Sequence, residues 1–132
     1  MIQMAVPRVL VIEDDEGARN ALASLLSDEG YAVSTASGGV EGVSLARSFW
    51  PHVVICDYSL PDIDGLEVMR RLRSAGRDYF FIIVTAGRFD HLGERHLRSE
   101  ADVFLDKPVD LAELRTALVR ATSESGSARA LN

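Results

Sequence analysis

Four short runs of apolar residues, most of them β-branched or aromatic, constrain this chain more than any other feature: Val9–Ile12, Val53–Cys56, Phe80–Val84 and Val103–Leu105. Continuous apolar runs of this length predict strands buried on both faces, as in a parallel sheet. Tyr31–Ala36 is more mixed and suits an edge strand. Between the runs lie segments of helical length. Ala18, Ala21, Leu22, Leu25 and Leu26 form one apolar stripe, and Leu111, Leu114, Leu118 and Ala121 form another. Val68, Met69 and Leu72 give a third helix its buried side, starting near Gly65, and Val40 and Val43 mark a weaker stripe over about 39–48. Phe89, Leu92, His96 and Leu97 have helical spacing that Gly93 interrupts, which predicts a short fourth helix of five. Asp110 followed by Glu113 predicts a capping box for the last helix, and Gly30 a stop for the first. Alternating strands and helices with right-handed crossovers imply an α/β fold with one open sheet covered on both faces. Ligands of such sheets bind beyond the carboxyl ends of the strands.

The chain's 132 residues suffice for one domain around one sheet, expected over residues 8–122 after an N-terminal extension of residues 1–7. Residues 123–132, SESGSARALN, lose the apolar period and read as a polar tail or the start of a linker. A net charge of −6 argues against a broad electrostatic grip on nucleic acid, so no direct binding to it is expected. Phe80–Val84, the longest apolar run, is too short to span a bilayer, and residues 1–7 lack the pattern of a secretory signal. The expectation is a cytoplasmic protein without membrane contact. The single cysteine, Cys56, excludes an internal disulfide and any cysteine-rich metal site.

Polar residues follow the runs directly. Glu13, Asp14, Asp15 and Glu16 come after the first, Asp57 after the second, Thr85 after the third, and Lys107 two residues after the fourth. Glu13, Asp14 and Asp57 would crowd one crevice, where repulsion would raise their pKa values unless a cation neutralised them. Carboxylates, a backbone carbonyl and several waters describe a Mg²⁺ site that shares a phosphate oxygen. Thr85 and Lys107 supply a hydroxyl donor and a compact positive charge for a phosphoryl group. Each residue also has a plainer explanation. Acids at a helix N-terminus suit the macrodipole, Thr85 could simply end a strand, and Lys107 could be a surface lysine. Their joint placement at the ends of four strands favours a site.

These residues and their surroundings resemble the receiver domain of two-component response regulators. The resemblance covers about residues 8–121 and is carried by VLVIEDDE, VVICDYSLPDIDGLEVMRRLR, FFIIVTAG and ADVFLDKPVDLAELRTAL. It implies a doubly wound (βα)5 three-layer sandwich with a five-stranded parallel sheet in the order 2-1-3-4-5. By position, Asp57 is the phosphoacceptor. Asp14, Asp57 and the backbone carbonyl of Ser59 are the expected ligands of Mg²⁺, with Glu13 binding through water and Mn²⁺ as an alternative ion. Thr85 and Lys107 would contact the phosphoryl oxygens, Phe104 matches the aromatic switch position, and Lys107-Pro108 resembles the family's cis peptide. Asp15 falls outside the acidic pair.

The resemblance implies phosphoryl transfer to Asp57 from a phosphohistidine on a sensor histidine kinase or a phosphotransfer protein. Thr85 and Phe104 would then change the surface of the fourth helix, fifth strand and last helix, where a second copy or an effector binds. Autodephosphorylation by water is expected, with the small residues Ser59 and Gly87 near the opening. Ser99-Glu100-Ala101 departs from the family's usual Ala-Gly-Ala at the end of the fourth helix.

Other signals fail. Aligning Gly65 with the glycine of a calcium loop puts Leu60 and Arg71 at ligand positions. Gly38, Gly39 and Gly42 lack dinucleotide-loop spacing, and His52, His91 and His96 lack metal spacing. Cys56, inside a buried run, is read as inert packing. Two other functions compete with this one. A Mg²⁺-dependent phosphatase or phosphotransferase would use Asp57 as a turnover nucleophile, but Ser59 stands where a second acid is wanted and no substrate cap is encoded. A non-phosphorylated interaction module is disfavoured because Glu13, Asp14, Asp57, Thr85 and Lys107 are all present.

Overall fold

The computed structural model describes residues 6–86, 95 and 99–130. Five strands, β1 (Arg8–Ile12), β2 (Ala32–Ala36), β3 (Val53–Asp57), β4 (Phe80–Thr85) and β5 (Val103–Asp106), form one parallel sheet in the order β2-β1-β3-β4-β5. This is the order the resemblance implies. The helices are α1 (Glu16–Asp28), α2 (Gly39–Phe49), α3 (Gly65–Ser74) and α4 (Leu111–Ala130). The residues that mark the fourth of the five expected helices, Phe89, Leu92, Gly93, His96 and Leu97, lie outside the described residues, as do Gly87 and His91.

Strand alternation sorts the core into two layers. Leu10 and Ile12 of β1 face α2 and α3, joining Val43, Ala46, Val68, Met69 and Leu72. Val9 and Val11 face the other way, joining Leu26 of α1 and Leu114, Leu118 and Ala121 of α4. The central strands β3 and β4 are buried along their whole length, whereas β2 is half-buried at the edge. The ladder runs one residue past three of the apolar runs, because Asp57 pairs with Val84 and Thr85 with Asp106. Asp57 and Thr85 are thereby set on strand backbone.

Acidic residues punctuate the helices. Asp15 caps α1 by accepting from Ala18 N at 2.8 Å, Asp64 caps α3 from Glu67 N at 2.9 Å, and Asp110 Oδ1 accepts from Ala112 N and Glu113 N. Gly30, with φ of +97°, ends the turn after α1 in the left-handed region.

Three expectations need correction. Val40 is exposed, and the buried side of α2 is Gly39, Gly42, Val43 and Ala46. A Cβ at Gly42 would collide with Ile12 Cδ1, so the missing side chain lets α2 lie directly on β1. In α1 only Leu26 is fully buried, while Leu22 and Leu25 are half-buried and Ala18 and Ala21 exposed. The expected tail also continues α4 as helical backbone to Ala130. Extending a nucleated helix adds one hydrogen bond per residue fixed, so the period can end before the helix does.

Candidate functional site

The parallel topology brings the carboxyl ends of β1, β3, β4 and β5 to one edge. Glu13 follows β1 and Asp57 ends β3; each is only 7% exposed. Asp14 beside them is exposed, and one carboxylate oxygen from each of the three lies within 4.8 Å of the others. Thr85 is buried at the end of β4. Lys107 leaves β5 with its backbone N–H on the Thr85 carbonyl at 2.7 Å, and its peptide bond to Pro108 is cis.

Lys107 reaches across the crevice. Its Nζ donates to Asp57 Oδ2 at 2.7 Å and to Glu13 Oε1 at 2.9 Å. Partial burial pulls the ammonium pKa down, but the hydrogen bonds and charges of Asp57 and Glu13 outweigh it and leave the pKa raised. Three carboxylates against one ammonium leave a formal local charge of −2 at neutral pH. An oxygen-lined, anionic cluster of this size fits a hard divalent ion.

The backbone around the carboxylates is tied down from several sides. Glu13 N donates to Ala36 O at 3.0 Å, and Asp15 N donates to Glu13 Oε2 at 3.2 Å. After β3, Ser59 N donates to Asp57 Oδ1 at 3.1 Å and Tyr58 N to Val84 O at 2.8 Å. Gly65 opens α3 directly against this turn, where a Cβ would stand 3.0 Å from Tyr58 Cα and 3.1 Å from Asp57 O.

Of the predicted site residues, Glu13, Asp14, Asp57, Thr85 and Lys107 gather at this edge. Ser59 is exposed just past it, and Phe104 is half-buried on β5 opposite Ile83. Phe104 and Thr85, two positions apart in sheet register, leave the same face. Two contributors were not found in the sequence. Arg19 of α1 donates from Nη1 to the carbonyls of Glu13 at 3.0 Å and Asp14 at 3.3 Å. Asp62 reaches α2, as described below. Neither bond has a periodic signature; a basic residue near an acidic run was the only hint of the first. Cys56 makes no part of the site, and burial followed by the Asp57 charge pushes its thiol pKa far up. Glu100, at the departure before β5, has its carbonyl hydrogen-bonded by Arg73 Nη2 at 2.7 Å.

Beside the carboxylates a groove of about 530 Å³ opens between α1 and the start of α4, lined mainly by apolar side chains including Ala18, Ala21, Leu25, Val109 and Leu111. Asp57 and Lys107 stand at its edge. Among the described residues, no helix is long and apolar enough to cross a membrane.

Residues 9–119 match the family described as response regulator receiver domain. The chain belongs to this receiver family. It is 42% identical over 121 residues to the response regulator MprA of Mycobacterium sp. (strain KMS), an alignment covering 88% of this chain and 52% of that protein. The receiver therefore spans about half the length of the curated relatives it matches. Among solved structures it resembles the signal receiver domain of an HD domain-containing protein from Pseudomonas fluorescens Pf-5, with 26% identity, a TM-score of 0.84 and coverage of 93% and 99% of the two chains. A response regulator receiver domain protein from Clostridium thermocellum is similar at 26% identity and a TM-score of 0.82, covering 92% and 98%. A receiver of two-component signalling thus accounts for the strand order.

Proposed function

We propose that this receiver is a phosphorylatable switch whose phosphoacceptor is Asp57. The observation that carries this reading is the 2.7 Å contact of Lys107 with Asp57 inside a cluster of oxygen donors. Asp57 ends a strand buried throughout, so its carboxylate is held in one place and needs little reorganisation to attack. A carboxylate oxygen of Asp57 forms the new P–O bond as the P–N bond of a donor phosphohistidine breaks, and the departing imidazole nitrogen takes up a proton. Lys107 offsets charge on the phosphoryl oxygens, and the Thr85 hydroxyl donates to one of them. Asp14, Asp57 and the Ser59 carbonyl would hold Mg²⁺ or Mn²⁺, with Glu13 through water. The bound ion would neutralise charge shared by the carboxylates and the phosphoryl group. Water later attacks phosphorus, releasing inorganic phosphate and restoring the carboxylate.

The donor is a sensor histidine kinase or a phosphotransfer protein. Movement of Thr85 toward the phosphoryl group lets Phe104 turn inward and changes the surface around β5 and α4, which a second copy or an effector reads. Incubation with acetyl phosphate and Mg²⁺ should add one phosphoryl mass to the wild type. Asp57→Asn should gain none, and chelation of the metal should abolish the gain. Equal labelling of Asp57→Asn, or no labelling of the wild type, would sink the proposal.

A further inference from the structure

The turn between β3 and α3, residues 58–64, carries Ser59 and has to keep a fixed path beside Asp57. Its far end is held by Asp62. One oxygen, Oδ1, accepts from Gly39 N at 2.9 Å and from Ile63 N at 2.8 Å, and the other, Oδ2, accepts from Val40 N at 2.8 Å. Two of these donors belong to the first turn of α2, more than twenty residues away in sequence. Gly38, the cap residue of α2, offers no side-chain hydrogen bond. Asp62 therefore supplies from another loop what α2 lacks.

The glycines fit this arrangement. A Cβ at Gly39 would collide with Ile63 Cγ1, and one at Gly38 would press on the Asp62 carboxylate at 3.3 Å. Gly42, one turn further on, seats the helix on Ile12, the residue before Glu13. The end of β1 is joined to the end of β2 by Glu13 N donating to Ala36 O at 3.0 Å. A closed path thus runs from Glu13 through α2 to Asp62 and back along the turn to Asp57. The two segments that bring carboxylates to the cluster are braced against each other through one helix.

We infer that Asp62 is a positioning residue for the cation cluster, fixing the Ser59 turn against α2 so that both halves of the cluster keep their spacing. The inference rests on the reading of Glu13, Asp14, Asp57 and Ser59 as the Mg²⁺ set. A plain helix cap would stabilise α2 without touching Mg²⁺ affinity, so the two roles separate in one measurement. Mg²⁺ is titrated into the full chain and followed by the amide resonances of Ser59 and Asp14, well below the melting temperature. Asp62→Ala should weaken Mg²⁺ binding about 3- to 10-fold, at or below the low end for groups that support metal ligands. Asp62→Asn, which keeps one acceptor oxygen, should fall between. With acetyl phosphate, the Mg²⁺ concentration giving half the maximal rate should rise more than the maximal rate falls. Unchanged Mg²⁺ affinity in both variants, whatever their melting temperatures, overturns the inference. If Asp62→Ala fails to fold, Asp62→Asn alone decides. A wild type that binds Mg²⁺ but gains no phosphoryl group would count against the switch and leave the Mg²⁺ comparison standing.

Discussion

The two faces of the sheet are closed differently. On the α2–α3 side, Gly39, Gly42 and Gly65 bring helices and turns into contact distance of strand ends, over a cluster of buried side chains. On the α1–α4 side, Leu26 is fully buried but Leu22 and Leu25 are only half covered, and the groove beside Asp57 and Lys107 remains open. The close-packed side holds the carboxylates in place, and the open side leaves them approachable. One sheet thereby combines a rigidly held cluster with open access to it.

Adjacent residues of α1 give the sharpest test. Leu26→Ala should cost roughly 3–4 kcal/mol, the cost of deleting a fully buried leucine, whereas Leu25→Ala should cost about 1 kcal/mol because part of its side chain already lies in the groove. Urea unfolding of both variants measures this, and equal costs would mean that the groove is closed in solution. Next in size is overpacking. Gly42→Val should cost about 2–3 kcal/mol through its collision with Ile12, against within about 0.5 kcal/mol for Ala21→Val on the open side.

A smaller effect is expected in acid. Hydrogen bonds from Val40 N and then Gly39 N hold the Asp62 carboxyl at about 2. A folded pKa below the unfolded value of about 3.9 means that this contribution is fully present above the unfolded value. It is lost as pH falls from there through about 2. The melting-temperature gap between wild type and Asp62→Asn should therefore shrink as pH drops from 5 to 2, by an amount kept modest by solvent exposure. A gap independent of pH would show that the ionised form is not what α2 requires. Smallest in signal is thiol chemistry. Cys56, fully buried on the close-packed side, should stay unlabelled by an alkylating reagent until the chain unfolds, while Ala21→Cys should label at the rate of an ordinary exposed thiol.

Much of this architecture was legible in the residues. Short β-branched runs located four of the five strands, because a strand covered on both faces has no polar side to interrupt it. Glu13, Asp14, Asp57, Thr85 and Lys107 stood out because each follows such a run. The limits were tertiary. The apolar stripe of α2 runs through Val40 and Val43, but the helix turns Gly39 and Gly42 to the sheet, and a residue without a side chain leaves no apolar signal. The same period implied a covered stripe on α1, although covering Ala18 and Ala21 would need a neighbour closer than α4 lies. Asp62 carries no signal of its own in the sequence. Its bonds to Gly39 and Val40 depend on a loop and a helix meeting in space, which no spacing along the chain encodes.

The reach of Lys107 has a consequence for how the molecule is made. Its partners Asp57 and Glu13 lie 50 and 94 residues earlier, and the lysine arrives only with the last strand. A nascent chain still short of this point already carries all three carboxylates with no ammonium among them, and like charges would push its first and third strands' ends apart. Such distant pairings also form late in folding because loop closure has to come first. The repulsion at the edge of the sheet is thus partly offset only when translation has passed residue 107 and the fifth strand has docked.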